Sequence, residues 1–350
     1  MKICAIICEF NPFHNGHKYL VERARKASGC DSLICIMSGS FTQRGEMCVL
    51  DKFTRAKHAV LGGADCVIQL PAAFAVAPAE IFAKGAIKIL SSVPEITTLA
   101  FGCESGNETD FLNAAKLLIN ESDKFKQVLA DGLDSGESYI KSYAAAFKAC
   151  GGDSGLLEKP NNVLGLEYTK AIMRLNSAIR ILPIKRVGGG YKDGELKEDF
   201  SSAAAIRKNL DNPVIAENVP DFVYTDLKNA AAGNQDSMLR HCLFKSSTEK
   251  LKRIYGCGEG LENRLKSLAE KPVDEIIECA TSKRYSSSRI RRILCANSLE
   301  LFKDECEKFL SGELYIKVLA LKKERADIIL PALAKSDYPL ITDGSSALSK

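Results

Sequence analysis

Short apolar runs alternate with helical stretches through the first hundred residues, and this alternation constrains the fold more than any other feature of the chain. Ile3–Cys8 is continuously apolar and is followed by a turn containing Pro12 and by a helical stretch, Gly16–Ala27. Ser32–Met37 is the next run and ends at Ser38-Gly39. Asp51–Leu61 reads as a helix, Cys66–Leu70 as a strand stopped by Pro71, Ala79–Leu90 as a helix, and Thr97–Phe101 as a strand stopped by Gly102. Strands this short, bounded by Gly or Pro and separated by helices, predict right-handed βαβ units and an α/β fold with a parallel sheet.

The rest of the chain reads differently. Glu108–Cys150 is helical, punctuated by Gly132 and Gly136, and Pro160-Asn161-Asn162 opens a helix over Val163–Leu175 with asparagines suited to its cap. Ile179–Lys185 is a fifth strand, and its Pro183 suits a sheet edge. Gly188-Gly189-Gly190 is expected to be a flexible loop, and Ser201-Ser202 to cap a helix through Arg207. Beyond Asp211 strand signals fade into helical patterns. A chain of 350 residues is long for one core. The expected division is a sheet-containing domain over 1–210, a mostly α-helical domain over 211–335 and a loose tail over 336–350.

Composition narrows the function classes. With 46% hydrophobic and 26% charged residues the chain is not a disordered one. No apolar run nears the roughly 18–20 residues that cross a bilayer, and the apolar start is broken by Glu9 and Asn11-Pro12 before any cleavage site. The 13 cysteines are scattered, without a Cys-x-x-Cys pair. They read as small buried apolar side chains in a cytoplasmic protein with no membrane anchor. The net charge of +4 lies wholly in the second half, where Cys279–Leu299 carries Lys283, Arg284, Arg289, Arg291 and Arg292 and no acid.

The strongest chemical signal is Cys8-Glu9-Phe10-Asn11-Pro12-Phe13-His14-Asn15-Gly16-His17, between the first strand and the first helix. In a parallel α/β sheet, ligands bind beyond the carboxyl ends of the strands. A helix N-terminus there offers unpaired N–H groups to phosphate, and Gly16 lets the backbone come close. Two imidazoles three residues apart can both donate to a triphosphate and stabilise charge developing in phosphoryl or nucleotidyl transfer. A metal-binding pair is the weaker reading, because only His58 and His241 remain as further histidines and neither has ligand-like spacing. No protein metal site is expected. A helix cap or a packed core histidine is the plain alternative for each.

This segment resembles the HIGH-motif nucleotidyltransferase superfamily, whose pattern is Gly-x-Phe-Asp-Pro-x-His-x-Gly-His, here with Cys8 for the Gly and Asn11 for the Asp. Ser201-Ser202-Ala203-Ala204-Ala205-Ile206-Arg207 is similar to the second signature, Ser-Ser-Thr-x-Ile-Arg, without its Thr. More of the chain narrows the resemblance. Met37-Ser38-Gly39-Ser40-Phe41-Thr42-Gln43-Arg44-Gly45-Glu46, Asp51–Ala56, Gly63-Ala64-Asp65, Leu70-Pro71, Phe101–Glu104, Pro160-Asn161-Asn162, Ile184-Lys185-Arg186, Glu259–Arg264 and Ser282–Tyr285 look like the tRNA(Met) cytidine acetate ligase family, in order along residues 1–330.

That resemblance implies a Rossmann-like, HUP-type nucleotidyltransferase domain followed by a mostly α-helical one. The implied activity is ATP-dependent. Acetate becomes acetyl-adenylate, and the acetyl group passes to the wobble cytidine of elongator tRNA(Met) as N(4)-acetylcytidine. His14 and His17 are the implied catalytic residues. ATP contacts carry over onto Ile7, Cys8, Glu9, Phe10, Asn11, Pro12, Phe13, His14, Asn15, Gly16, His17, Lys18, Tyr19 and Leu20, and onto Gly102, Asn162 and Arg186. Ser202 and Arg207 are weaker phosphate candidates. Lys18, Arg44, Lys52 and Arg55 are further ones, though each alone is more often a solvated surface charge. Mg²⁺ is expected to bridge the phosphates.

Lys283, Arg284, Tyr285, Arg289, Arg291 and Arg292 read as a tRNA-facing surface, with cations for phosphates and an aromatic for stacking. A solvated amphipathic helix is the alternative. Two other functions stay open on the residues alone. One is an adenylyltransferase for a small phosphate-bearing molecule; the other is a tRNA-binding factor without chemistry.

Overall fold

A computed structural model describes residues 1–187, 200–230, 235–312 and 314–342. The Gly188-Gly189-Gly190 loop and the tail from residue 343 lie outside the described residues. Five parallel strands form the centre: β1 (Ile3–Cys8), β2 (Ser32–Ser38), β3 (Cys66–Leu70), β4 (Ile96–Cys103) and β5 (Arg180–Lys185). Their order is β5-β4-β1-β2-β3, with β5 at the edge that Pro183 allows. Succession from β1 runs one way to β2 and β3 and the other way to β4 and β5. A crevice therefore opens between the carboxyl ends of β1 and β4, the place where such sheets bind ligands.

The strand period explains why β1 is apolar throughout. Ile3, Ala5 and Ile7 face one side with Ile34 and Ile36 of β2. Cys4, Ile6 and Cys8 face the other with Leu33, Cys35 and Met37. Helices cover both faces, so every position is buried. The cysteines of β1 and β2 act as small apolar side chains in this packing.

The second half departs from the expected division. Helices Ile215–Asn218 and Asp221–Lys228 bury Ile215, Val219, Val223 and Leu227 in the core around β1 and β2. Asp226 also meets the buried His58 at 2.8 Å. The helical body has its own core, running from Leu239 to Ala296 and including Val76 of the sheet domain. The chain then returns. Strand β6 (Ile316–Leu321) pairs antiparallel with β3, and β7 (Leu340–Ile341) pairs with β6. Leu314, Ile316, Ile329 and Leu333 complete the sheet core.

These findings correct three expectations: the boundary at 210/211, the absence of strands after it, and a loose tail beginning at 336. The run Ile316-Lys317-Val318-Leu319-Ala320-Leu321 is too apolar to show a clear period, and its partner lies about 250 residues away. Among the described residues no helix is long and apolar enough to cross a membrane.

Candidate active site

The chain leaves β1 through a sharp turn. Phe10 adopts φ 49°, a region that non-glycine residues seldom enter, and the Asn11–Pro12 peptide is cis. The first helix, Asn15–Ser28, begins immediately after His14. His14 is its cap: the Gly16 N–H donates to His14 Nδ1 at 3.1 Å. The His14 N–H in turn donates to His17 Nδ1 at 3.3 Å, completing a reciprocal cap. The rings stack with centroids 3.7 Å apart, and the ring of Phe10 packs 4.8 Å from that of His17.

This geometry selects a tautomer. A nitrogen that accepts a backbone hydrogen bond carries no proton, so Nε2–H is the remaining donor on each neutral ring. Burial, with the Arg186 and Arg207 charges, pulls the His14 pKa down to about 3. Burial, His14 and Arg186 hold that of His17 well below the usual range, against a hydrogen bond to the Pro12 carbonyl. Both histidines are therefore neutral at physiological pH rather than cations, and the Nε2–H of His14 is the donor left for a ligand.

They open onto a cavity of about 170 Å³ at the β1/β4 crevice. Ile7, Cys8, Glu9, Phe10, Asn11, His14, His17 and Leu20 line it from the first strand and helix, together with Gly102 from β4, Arg186 after β5, and Ser202 and Arg207. A lobe of about 30 Å³ continues past Gly16 and Tyr19 toward Lys185 and Phe200. At Gly102 any Cβ would press to 3.3 Å on the Arg186 side chain, so glycine there leaves the arginine room. Ser202 caps the helix Ala203–Lys208 by accepting from the Ala205 N–H at 3.1 Å. Arg207 donates to the Asn11 carbonyl at 2.8 Å and pairs with Glu46 at 3.2 Å. The second signature thus reaches the first across the crevice.

Other carried-over residues lie elsewhere. Pro12, Phe13, Asn15 and Lys18 do not line the cavity. Phe13 is core, Asn15 donates to the Glu217 carbonyl at 2.8 Å, and Lys18 is exposed. Asn162 is fully buried: its Oδ1 accepts from the Glu104 N–H at 2.9 Å and its Nδ2 donates to Ser105 Oγ at 2.8 Å. Its neighbour Asn161 reaches the cavity instead. The helix they open, Pro160–Arg174, takes its cap from a distant residue, since Glu104 accepts from the N–H of Asn162 at 3.0 Å. Asn162 thus holds the loop after β4, and its side chain lines neither lobe of the cavity.

Arg55 is also corrected. It is wholly buried and donates to the carbonyls of Glu9, Ser38, Gly39 and Leu50, tying the ends of β1 and β2 together. Lys52 bonds Gln69 at 3.1 Å away from the cavity, whereas Arg44 does line it. Sequence reasoning assigned no role to Thr42, Gln43, Glu46, Phe82, Leu164 or Tyr168, which also form the wall. Thr42, Gln43 and Glu46 lie in the stretch past β2, and the carboxyl end of a neighbouring strand was the available signal.

Glu9 is a half-buried carboxylate of the site, one oxygen accepting from the Gln43 N–H at 2.6 Å. Burial raises its pKa, while the Gln43 N–H, Arg207 and Arg55 oppose that shift. No group of three or more potential metal ligands occurs among the described residues.

Of the expected tRNA surface, Lys283 and Arg284 are exposed, but Tyr285 is buried and its hydroxyl lies 3.2 Å from a Glu259 carboxylate oxygen. It cannot stack on an incoming base without unpacking. Arg284 pairs with Glu259 at 3.0 Å and Arg291 with Asp274 at 3.6 Å.

A neutral histidine pair at a helix start, facing a crevice with Arg186 and Arg207, is an arrangement suited to nucleotidyl transfer. The family model HIGH Nucleotidyl Transferase matches residues 1–350, and the chain belongs to that family. Within it, the tRNA(Met) cytidine acetate ligase of Clostridium novyi is 38% identical over 311 residues, covering 84% of this chain and 78% of that protein. The Clostridium botulinum enzyme of the same name is 36% identical over 96% of this chain and 87% of its own length. Thermotoga maritima TmcAL superposes with a TM-score of 0.92 at 31% identity, covering 100% of this chain and 88% of that one. Its form bound with alpha-thio ATP matches at 0.89. The chain is a member of the tRNA(Met) cytidine acetate ligase family.

Proposed function

We infer that this chain activates acetate with ATP and transfers the acetyl group to the wobble cytidine of elongator tRNA(Met). The observation that carries this is the His14–His17 pair, with both Nδ1 atoms held by the backbone at a cavity shared with Arg186 and Arg207. It is reinforced by the relatives' activity and by the alpha-thio ATP complex of the Thermotoga protein.

In the first step an acetate oxygen attacks the α-phosphorus and the bond to pyrophosphate breaks. Negative charge gathers on the α-phosphate and the leaving group. The His14 Nε2–H, backed by the stacked His17 ring, and the two guanidiniums stabilise it in a water-poor cavity, where such contacts are strongest. In the second step the cytidine N4 attacks the acetyl carbon, the bond to AMP breaks, and N4 gives up a proton. Glu9 is the carboxylate placed to take it, and its raised pKa improves it as a base.

Mg²⁺ bound to the triphosphate would add charge neutralisation, a role that needs few protein ligands. Glu9 and Glu46 are the cavity carboxylates available to its waters. A tRNA substrate supports a cytoplasmic site of action, with the helical body sharing the tRNA.

The test is incubation with ATP, labelled acetate and bulk tRNA. Label in the tRNA is the expected result. Pyrophosphate exchange driven by a phosphate-bearing small molecule but not by acetate would make the chain an adenylyltransferase. Binding of tRNA without ATP consumption would make it a non-catalytic factor.

A further inference from the structure

A second cavity, of about 300 Å³, lies where the helical body meets the sheet domain. Val76 and Pro78 form its wall on the sheet side, and Tyr255 with Gly256 forms its wall on the helical side. The helix Ser287–Ser298 contributes Arg289 and Arg292.

The charges here are not balanced. Arg289 is anchored, donating to the Gly256 carbonyl at 3.2 Å with its guanidinium 4.9 Å from the centre of the Tyr285 ring. Among the described residues the Arg292 side chain has no ion pair and no hydrogen bond, although its backbone is helical. Burial and then the Arg289 charge hold its pKa below the usual arginine value, with Tyr255 opposing. Arg284 and Arg291 of the same basic stretch are already neutralised by Glu259 and Asp274. Two like charges at a partly buried cavity, one without a protein partner, favour an anion between them.

The position says which anion. Gly45 has φ +75°, and a Cβ there would fall 2.8 Å from the Arg291 carbonyl oxygen and 2.9 Å from Arg292 Cα. The loop thus rests on the helix backbone at these arginines. Gln235 of the helical body holds it there, bonding the Gly45 carbonyl at 2.9 Å and the Met47 N–H at 2.8 Å. The same loop presents Gln43, Arg44 and Glu46 to the active cavity. The loop that lines the active cavity therefore touches the helix whose Arg289 and Arg292 line the second one.

We propose that this second cavity receives a nucleotide of the tRNA close to the target cytidine, its phosphodiester between Arg289 and Arg292 and its base or ribose against Tyr255 and Pro78. The size suits one nucleotide, at the lower end of ligand pockets. The assignment rests on the tRNA reading above.

The experiment uses Arg289→Met, Arg292→Met and Arg284→Met in the full chain. It measures tRNA(Met) binding across salt concentrations, acetate-dependent ATP–pyrophosphate exchange without tRNA, and thermal melting. The first two variants are expected to bind tRNA about tenfold more weakly, each lost contact lowering the log–log salt slope by roughly 0.7–0.9. Exchange should persist. Arg292→Met should melt no lower than the parent, because it removes a charge that lacks a partner.

Unchanged tRNA affinity with a lowered melting point would make Arg292 structural and overturn the proposal. An equal loss in Arg284→Met would replace the cavity with a diffuse basic surface. Inorganic phosphate or AMP binding that depends on Arg292 while tRNA binding does not would reassign the site to a free anion. If the parent chain binds no tRNA, the functional reading itself fails; if the parent binds and the arginine variants match it, only the cavity assignment falls.

Discussion

In the proposed reaction His14 performs two tasks with its two ring nitrogens, and a substitution can separate them. Nδ1 accepts from the Gly16 N–H at 3.1 Å and caps the first helix, leaving Nε2–H for substrate. Asparagine is among the best capping residues, and its Oδ1 can take the place of Nδ1 without extending to the position of Nε2. In His14→Asn the cap survives and only ring stacking on His17 is lost, a change of about 0.5–1.5 kcal/mol. His14→Ala also loses the cap, adding about 1 kcal/mol. Both remove the same transition-state donor, so both should lower acetate-dependent pyrophosphate exchange by roughly 10²–10³.

Acid adds a second signature in the same proteins. The folded pKa of His14, about 3, lies below its ordinary 6.5. Between those values the unfolded chain binds the extra proton. The His14 contribution is therefore fully present above 6.5 and is lost as pH falls toward 3, by about 1.4 kcal/mol per pH unit. At pH 5 the loss is about 2 kcal/mol, and His14→Asn should be spared it. Urea unfolding at pH 7.5 and pH 5 measures this beside the exchange assay. Equal pH dependence in parent and variant, or exchange retained in His14→Asn, would refute the neutral-donor account.

Other substitutions test the surrounding machinery. Glu9→Gln should leave acetate-dependent exchange within a few fold yet slow acetyl transfer to tRNA by roughly 10²–10⁴, the range for a lost general base; parallel losses in both half-reactions would return Glu9 to a packing role. Arg55→Met should unfold the chain several degrees earlier, because four backbone carbonyls lose their donor; wild-type melting with lost ATP affinity would restore Arg55 as a phosphate contact. Asn162→Ala should cost about 1–3 kcal/mol through the unpaired loop after β4 and weaken ATP binding only in proportion. Calorimetry showing lost ATP affinity at full stability would mean direct contact.

Much of the active site was legible in the sequence because its logic is local. A strand, a turn, a helix cap and two histidines fall within the stretch from Ile3 to His17, and each follows from residue type and spacing over a few positions. The parallel sheet was legible for the same reason: uninterrupted apolar runs such as Ile3–Cys8 suit strands covered on both faces. Strand β6 escaped because its identity depends on β3, far away in the chain.

The fates of the charged and polar candidates were decided by tertiary structure alone. Cys279–Leu299 contains no acid, yet folding brings Glu259 to Arg284 and Asp274 to Arg291. Arg55 looked like a free cation, but the carbonyls at two strand ends surround it. Asn162 sits beside the residue that reaches the cavity, and the loop after β4 takes both ends of its amide. Residue type sets what a side chain can donate or accept, and that is written in the sequence. Which partner consumes that capacity depends on elements brought together from distant positions, so Arg292 could emerge as a cation without a partner only after its neighbours had been folded around it.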